Sequence, residues 1–190
     1  NKAIEANIFH KIYVSSDLDK LKKFENNKID FFKREKKLCK DPATITDVML
    51  NICNKTKVKK ERYLLMVVLS VTNPFFTAND IRKSVSYFNK TLFDGLLSIS
   101  KSTSPPYNAW KIKKKKIFPV FKNSQYKYMK STECPSTYFS NGAIRIVNIK
   151  KFCKVKNFHR LNLTYFEMKN EKSLDIDNKF EYELAKKIIK

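Results

Sequence analysis

Tyr63-Leu64-Leu65-Met66-Val67-Val68-Leu69-Ser70-Val71-Thr72-Asn73-Pro74-Phe75-Phe76-Thr77-Ala78-Asn79-Asp80-Ile81 holds a strand, a turn and a helix start in one run. From Tyr63 to Val71 the residues are nearly all apolar, the pattern of a central strand covered on both faces. Pro74 closes the strand, because proline has no N–H for a sheet ladder. Thr77 with Asp80 three residues on is a capping-box start. Ile81, Val85 and Phe88 then recur at helical spacing as a buried stripe.

The same alternation extends in both directions. Upstream, Lys11 to Ser16 reads as a short buried strand with a polar end. Leu18, Leu21 and Phe24 mark a helix face, Ile29 to Phe32 is a second short strand, and Thr44 to Asp47 is a second cap. Ile45, Val48, Met49 and Ile52 follow it at helical spacing. Downstream, Leu96 to Ser100, Gly142 to Asn148 and Leu161 to Met168 are strands. Phe180, Leu184, Ala185 and Ile188 give a closing helix. Residues 102–140 differ: four prolines, the lysine run Lys113 to Lys116 and several tyrosines make an excursion with room for a hairpin. Repeated β-α units with apolar strands predict an α/β sandwich, and no linker divides the chain.

Composition narrows the function classes. With 42% hydrophobic and 13% aromatic residues in 190, the chain can build one proper core. The net charge of +22 raises a nucleic-acid-binding module. The lysines are spread along the whole chain, whereas a nucleic-acid surface calls for clustered charge. A basic surface also favours small anionic substrates such as a nucleoside triphosphate and an acidic sugar. Cys39, Cys53, Cys134 and Cys153 form no C-x-x-C pair, and His10 and His159 lie outside zinc spacing. Leu64 to Leu69 is the longest apolar run, too short to span a bilayer. With no signal peptide in view, the cytoplasm is the expected location.

In open α/β sheets ligands sit beyond the carboxyl ends of the strands. That singles out the turns at Ser15–Asp17, Ser70–Pro74 and Asn141–Gly142. Near the end of the chain, Asp175 and Asp177 flank Ile176; in extended backbone they point the same way. Two carboxylates completed by water and phosphate oxygens suit magnesium. The alternative makes Asp177 a helix N-cap and Asp175 a solvated loop residue. Gly142, one of two glycines, marks either a close approach to the backbone or a β-bulge.

These segments together resemble one family, the acylneuraminate cytidylyltransferases (CMP-sialic acid synthetases). Ile12-Tyr13-Val14-Ser15-Ser16-Asp17 is similar to their V-S-T-D strand end. Arg34 to Asp41 is similar to R-P-x-x-L-A-x-D, and Thr44 to Val48 to the helix start that follows. Leu69 to Ile81 matches L-Q-P-T-S-P-x-R-T-A-E-D-I in outline. Pro135 to Ile144 resembles L-P-x-x-Y-x-x-N-G-A-I, and Ser173 to Asp177 resembles S-I-D-I-D. The order and spacing hold over nearly the whole chain.

The resemblance implies a three-layer α/β/α nucleotide-diphospho-sugar transferase fold with a mixed, mostly parallel sheet. It implies transfer of CMP from CTP to a nine-carbon acidic sugar, with release of pyrophosphate. Asp175 and Asp177 would hold Mg2+. Asn141, Gly142, Ser70, Thr72 and Arg145 would line the sugar pocket, joined by Phe158 from a second subunit. Arg34, Asp41, Thr44 and Asp17 would border the nucleotide. It further implies a homodimer, with residues 102–160 reaching the partner. From composition and patterning, no membrane partner is expected, and a nucleic-acid-binding module is the lesser alternative. The chain departs from the pattern too. The family's opening strand and P-A-R-x-G-S-K phosphate loop have no counterpart in these residues. Ser70 replaces a Gln, Phe76 an Arg, Ser131 and Thr132 an Arg-Gln pair, and Arg145 a Tyr. These departures keep open a degenerate, non-catalytic member. Arg145 offers a sugar carboxylate a bidentate partner in compensation.

Overall fold

A computed structural model describes residues 2–56 and 63–188. Its strands are β1 (Ile12–Ser16), β2 (Ile29–Lys33), β3 (Leu65–Leu69), β4 (Gly95–Lys101), β5 (Trp110–Lys113), β6 (Lys116–Pro119), β7 (Tyr138–Asn148) and β8 (Leu163–Glu167). Its helices are α1 (Lys2–Ala6), α2 (Ile45–Lys55), α3 (Ala78–Phe88), α4 (Ile149–Val155) and α5 (Lys179–Ile188). No helix among the described residues is long and apolar enough to cross a membrane.

The main sheet has the order β3-β7-β4-β8. β7 runs antiparallel to both β3 and β4, and β8 runs parallel to β4, so three of the four strands share one direction. β1 and β2 form a separate parallel pair.

Side-chain alternation along the strands builds one core on each face of the main sheet. Leu65, Val67 and Leu69 of β3 join Leu96, Ile144 and Ile146 against Ile81 and Phe88 of α3. Met66 and Val68 turn the other way, with Leu97 and Val147, onto Met49 and Cys53 of α2 and Phe152 of α4. Helices on both faces make three layers, as the α/β pattern implies. Both capping boxes form: the Thr44 and Thr77 hydroxyls accept from the Asp47 and Asp80 N–H groups, whose carboxylates bind back. Each such cap contributes about 1 kcal/mol.

Three local expectations are corrected. β3 is covered on both faces but lies at the end of its sheet, paired on one edge only among the described residues. An apolar run reports buried faces and is blind to which edges are hydrogen-bonded. Residues Asp19–Phe24 form a 3-10 helix with no buried residue, and Leu18 and Phe24 are exposed. In α5 only Ala185 is buried, while Phe180 is 77% exposed. The other members of its apolar stripe, Leu184 and Ile188, are exposed as well.

The excursion is a hairpin. β5 and β6 pair across Lys114 and Lys115, which both take positive φ. Two consecutive left-handed residues give the twist a tight hairpin needs. Ile112 and Ile117 stand exposed on it.

Candidate functional site

The site grows from the end of β3 and from an irregularity in β7. Leu97 pairs with Arg145 and Ile99 with Ser140, so Ser98 alone faces residues 141–144. Such a bulge re-aims side chains at the end of a ladder. Gly142 sits in it at φ +72, a conformation that disfavours side chains. Gly142 is therefore a bulge glycine, one of its two sequence readings.

Asn141, 6% exposed, is fixed by three bonds. Its Oδ1 accepts from the Ser98 hydroxyl at 2.5 Å and the Ala143 N–H at 3.2 Å. Its Nδ2 donates to Ser173 Oγ at 2.9 Å. Ser98 Oγ in turn accepts from the Ile144 N–H at 2.8 Å. A side chain this constrained shapes the bulge and holds the 173–177 segment beside it.

Asn73 ties the turn after β3 to the same place. Its Nδ2 donates to the carbonyls of Asn141 at 2.9 Å and Leu174 at 3.2 Å. With both donor bonds made to carbonyls, the amide cannot flip without opposing oxygen to oxygen. Its Oδ1, on a residue 1% exposed, has no hydrogen-bond partner. The Ile176 N–H donates to the Thr72 carbonyl at 2.9 Å, a second stitch between the two segments. Ser70 and Thr72 hydroxyls bond each other at 2.8 Å.

Arg145 lies one residue past the bulge. Its Nη1 donates to the Gly142 carbonyl at 3.0 Å, and its Nε is buried without a partner. Burial pushes its pKa down from the ordinary arginine value, and the nearby Asp175 carboxylate opposes that shift. Asp175 Oδ1 is likewise buried and unpaired. A Cβ on Gly142 would lie 3.5 Å from Asp175 Oδ2 and 3.7 Å from both Arg145 Nη2 and Asn73 Oδ1. One cation, one carboxylate and one amide oxygen thus converge on a single point.

Three orphaned buried polar atoms in one cluster are unusual, since most such groups find partners. Asn73 Oδ1 and Asp175 Oδ1 are hard oxygen donors of the kind magnesium takes. Asp177 stands exposed two residues on. It is not the cap of α5: Asn178 Oδ1 accepts from the Glu181 N–H at 3.0 Å, and Glu181 binds back to the Asp177 and Asn178 N–H groups. The carboxylate of Asp177 is therefore not used in capping. Among the described residues no group of three or more His, Cys, Asp or Glu forms a cage. A cation here would complete its shell with water and ligand oxygens, which magnesium favours.

Ser70, Thr72, Asn141, Gly142, Arg145 and Asp175 thus belong to one neighbourhood. The expected nucleotide residues lie elsewhere. Arg34 donates to Ser15 Oγ at 3.3 Å and to the Ser15 carbonyl at 2.9 Å, fastening the ends of β1 and β2. Asp17 and Asp41 are exposed, and Thr44 caps α2. No hydrogen bond among the described residues joins this group to the first. Phe158 is corrected: it is 0% exposed, packed with Phe152 and Met49 in the second core, and presents nothing to a ligand. Ser98 was not anticipated, and Asn73 and Ser173 lay inside the segments singled out, Ser70–Pro74 and Ser173–Asp177, without a role of their own. The available signals were a Ser between Leu97 and Ile99 inside a strand and an Asn before Pro at a strand end.

No protein-family model matches the chain. Among curated proteins it is 25% identical over 183 residues to an N-acylneuraminate cytidylyltransferase of Streptococcus agalactiae serotype III. It is 27% identical over 187 residues to that of Escherichia coli O18:K1:H7. These alignments cover 95% and 96% of the chain but 43% of each relative, so the chain spans less than half their length. In fold it is similar to the Francisella tularensis 2-C-methyl-D-erythritol 4-phosphate cytidylyltransferase, with a TM-score of 0.69 and 11% identity over 98% of this chain and 85% of that one. A CMP:2-keto-3-deoxy-manno-octonic acid synthetase crystallised with CTP gives 0.60 and 10% identity over the same shares. The fold is therefore that of the cytidylyltransferases, and the resemblance in sequence to the N-acylneuraminate cytidylyltransferases stands.

Proposed function

We propose that this chain is the nucleotidyl-transfer domain of an enzyme that activates a nine-carbon acidic sugar with CTP, giving the CMP-sugar and pyrophosphate. The observation that carries the reading is the convergence of Asn73 Oδ1, Arg145 Nη2 and Asp175 Oδ2 on one point beside Gly142 in the bulge of β7, each of the three residues also holding a buried polar atom without a partner. The relatives' names and the CTP-bound neighbour of like fold support it.

Asp175 and Asp177 would hold Mg2+, which neutralises charge on the phosphates and helps orient them for displacement. The protein's own contribution is placement. Asn73 and the Thr72 carbonyl set the height of the Asp175 segment against β7. Gly142 keeps the space above its backbone clear for a ligand. Ser70 and Thr72 line the approach from β3. Arg34, Asp41, Thr44 and Asp17 would border the nucleotide from the β1–β2 end. Residues 102–160 would form the homodimer contact, and the protein would work in the cytoplasm.

A second reading is a family member that binds without turnover. It is favoured by Phe76, which stands where relatives of this type carry an Arg and is 6% exposed in the first core, removing a cation from the site. The test is pyrophosphate release from CTP and Mg2+ by the whole protein with a panel of nine-carbon acidic sugars. Sugar-dependent release is expected. A folded protein that releases none with any sugar refutes the catalytic reading; CTP binding by that protein would leave the binding-only one, and nucleic-acid titration would be next.

A further inference from the structure

The lysines are spread along the chain, but the acids are not. Of 18 aspartates and glutamates, only Glu133 lies between residues 95 and 166, a stretch that holds 15 lysines and arginines. The arm of residues 102–137 belongs to this stretch. It leaves at the end of β4 and returns at the start of β7, where the Ser102 N–H donates to the Thr137 carbonyl at 2.8 Å. At its root the Tyr107 ring packs against Phe121 and Tyr126, with centroids 6.2 Å and 5.0 Å apart. Beyond these rings the β5–β6 ribbon stands clear, and no residue of it belongs to either core of the main sheet.

Register sorts the ribbon into two faces, because paired residues of an antiparallel ladder share a side. Trp110 pairs with Pro119 and Ile112 with Ile117 on one face; Lys111 pairs with Phe118 and Lys113 with Lys116 on the other. Trp110, Ile112 and Ile117 are 48%, 79% and 61% exposed. Lys114 and Lys115 form the tip. No ion pair among the described residues includes a lysine of the ribbon. The ribbon is thus an apolar face edged by uncompensated positive charge, and its partner must offer an apolar interior and negative charge together. A second copy offers the first but brings the same lysines, and like charge opposes that contact. A nucleic acid offers the second, but an isoleucine pair has no ring on which bases stack. The basic residues of the arm are all Lys, whereas forked recognition of phosphates favours Arg. An anionic bilayer supplies both: acyl chains for the isoleucines, an interface where tryptophan sits, and headgroup charge for the lysines.

We propose that the β5–β6 ribbon docks this protein on anionic phospholipid: Ile112, Ile117 and Trp110 enter the boundary between headgroups and acyl chains, and Lys113 to Lys116 meet the lipid phosphates. Lysine stems lie along apolar surface while their ammonium groups reach the headgroups. The attachment lies on the membrane and needs no spanning helix. It stands apart from the catalytic reading. It gives the ribbon's apolar face to lipid and leaves the rest of residues 102–160 for a contact between copies.

Trp110 is the chain's only tryptophan, so its fluorescence reports on the ribbon directly. The test is titration of the protein with vesicles of phosphatidylcholine alone and of phosphatidylcholine mixed with phosphatidylglycerol, followed by Trp110 emission and by co-sedimentation. The anionic vesicles should shift the emission to the blue and carry the protein down; the neutral ones should do neither. Lys113→Gln, Lys114→Gln, Lys115→Gln and Lys116→Gln together should weaken binding by about 100-fold, the scale of removing several lysines from an anionic surface. Ile112→Ser with Ile117→Ser should also weaken it, with an unchanged Tm, because the ribbon lies outside both cores. Binding that both sets of substitutions leave intact overturns the inference. So does a protein that ignores the vesicles. If that protein then binds RNA or DNA with a steep salt dependence, the charge serves nucleic acid; if Ile112→Glu with Ile117→Glu breaks its dimer, the face belongs to a second copy.

Discussion

The side-chain amide of Asn73 bonds the carbonyl of Asn141 at 2.9 Å across 68 residues of chain, and by the same nitrogen reaches the carbonyl of Leu174. One buried group thereby holds the turn after β3, the bulge of β7 and the Asp175 segment in fixed relation. Replacing it tests how far the site depends on that clamp. Asn73→Ala frees two buried carbonyls, each costing ~1–3 kcal/mol when left unmade. Thermal unfolding should show a clear drop in Tm, and sugar affinity should fall with it. Asn73→Asp removes the donors and adds a charge beside Asp175, and should be worse than Ala.

Gly142→Ala is expected to act through backbone and space together. The left-handed backbone at φ +72 costs a non-glycine residue about 1 kcal/mol. The added methyl meets its neighbours at 3.5 Å or more, ordinary contact, so no further packing strain arises. It does fill the point on which Arg145, Asp175 and Asn73 converge. Stability should therefore fall by about 1 kcal/mol in denaturant titration, while acid-sugar binding falls by more than that loss explains.

Asp80 links the start of α3 to the segment before Asp175, accepting from Lys172 Nζ at 2.8 Å and 3.0 Å. Burial pushes its pKa up, but the bonds from Lys172 and Thr77 outweigh it and hold the carboxyl below its usual value. A carboxyl whose folded pKa is depressed stabilises above its unfolded pKa, about 4, and loses that contribution as pH falls through the folded one. Stability should drop below about pH 4 in the wild type and less steeply in Asp80→Asn. The pair is partly screened by solvent, so the difference at pH 7 should be only ~0.5–1 kcal/mol. Equal acid slopes in the two proteins would remove Asp80 from the account.

Asp175→Asn and Asp177→Asn should each lower sugar-dependent pyrophosphate release by about 100-fold or more, the scale of losing charge stabilisation at a phosphate. Chelation of Mg2+ should reproduce the loss and readdition should reverse it. Circular dichroism should be unchanged for Asp177→Asn, whose carboxylate makes no structural bond among the described residues. Full activity in that variant would leave Asp175 as the sole protein carboxylate in the role.

Ile112 and Ile117, 79% and 61% exposed, stand on a hairpin that two strands alone hold weakly. If this arm meets a second copy, Ile112→Glu with Ile117→Glu should convert a dimer to a monomer in analytical ultracentrifugation without lowering the Tm of the subunit. A dimer that survives both substitutions places the interface elsewhere.

What the sequence determined by itself was local and periodic. Thr44 with Asp47 and Thr77 with Asp80 announced two helix starts, because a cap is made within four residues of chain. The apolar run before Pro74 announced a strand with two buried faces, because side-chain alternation needs no knowledge of neighbours. Gly142 and the Asp175–Asp177 pair were marked as chemistry by residue type. Tertiary structure alone decided the rest. β3 ended at a sheet edge, since strand order depends on partners that composition does not encode. Phe158 went to the core and not to the pocket, since an aromatic side chain suits either place. Asn73, an ordinary residue before a proline in the sequence, became the centre of the site because its two carbonyl partners arrive from 68 and 101 residues away. Hydrogen bonds of that reach are set by how the layers pack, and a single buried amide then fixes where its one free oxygen points.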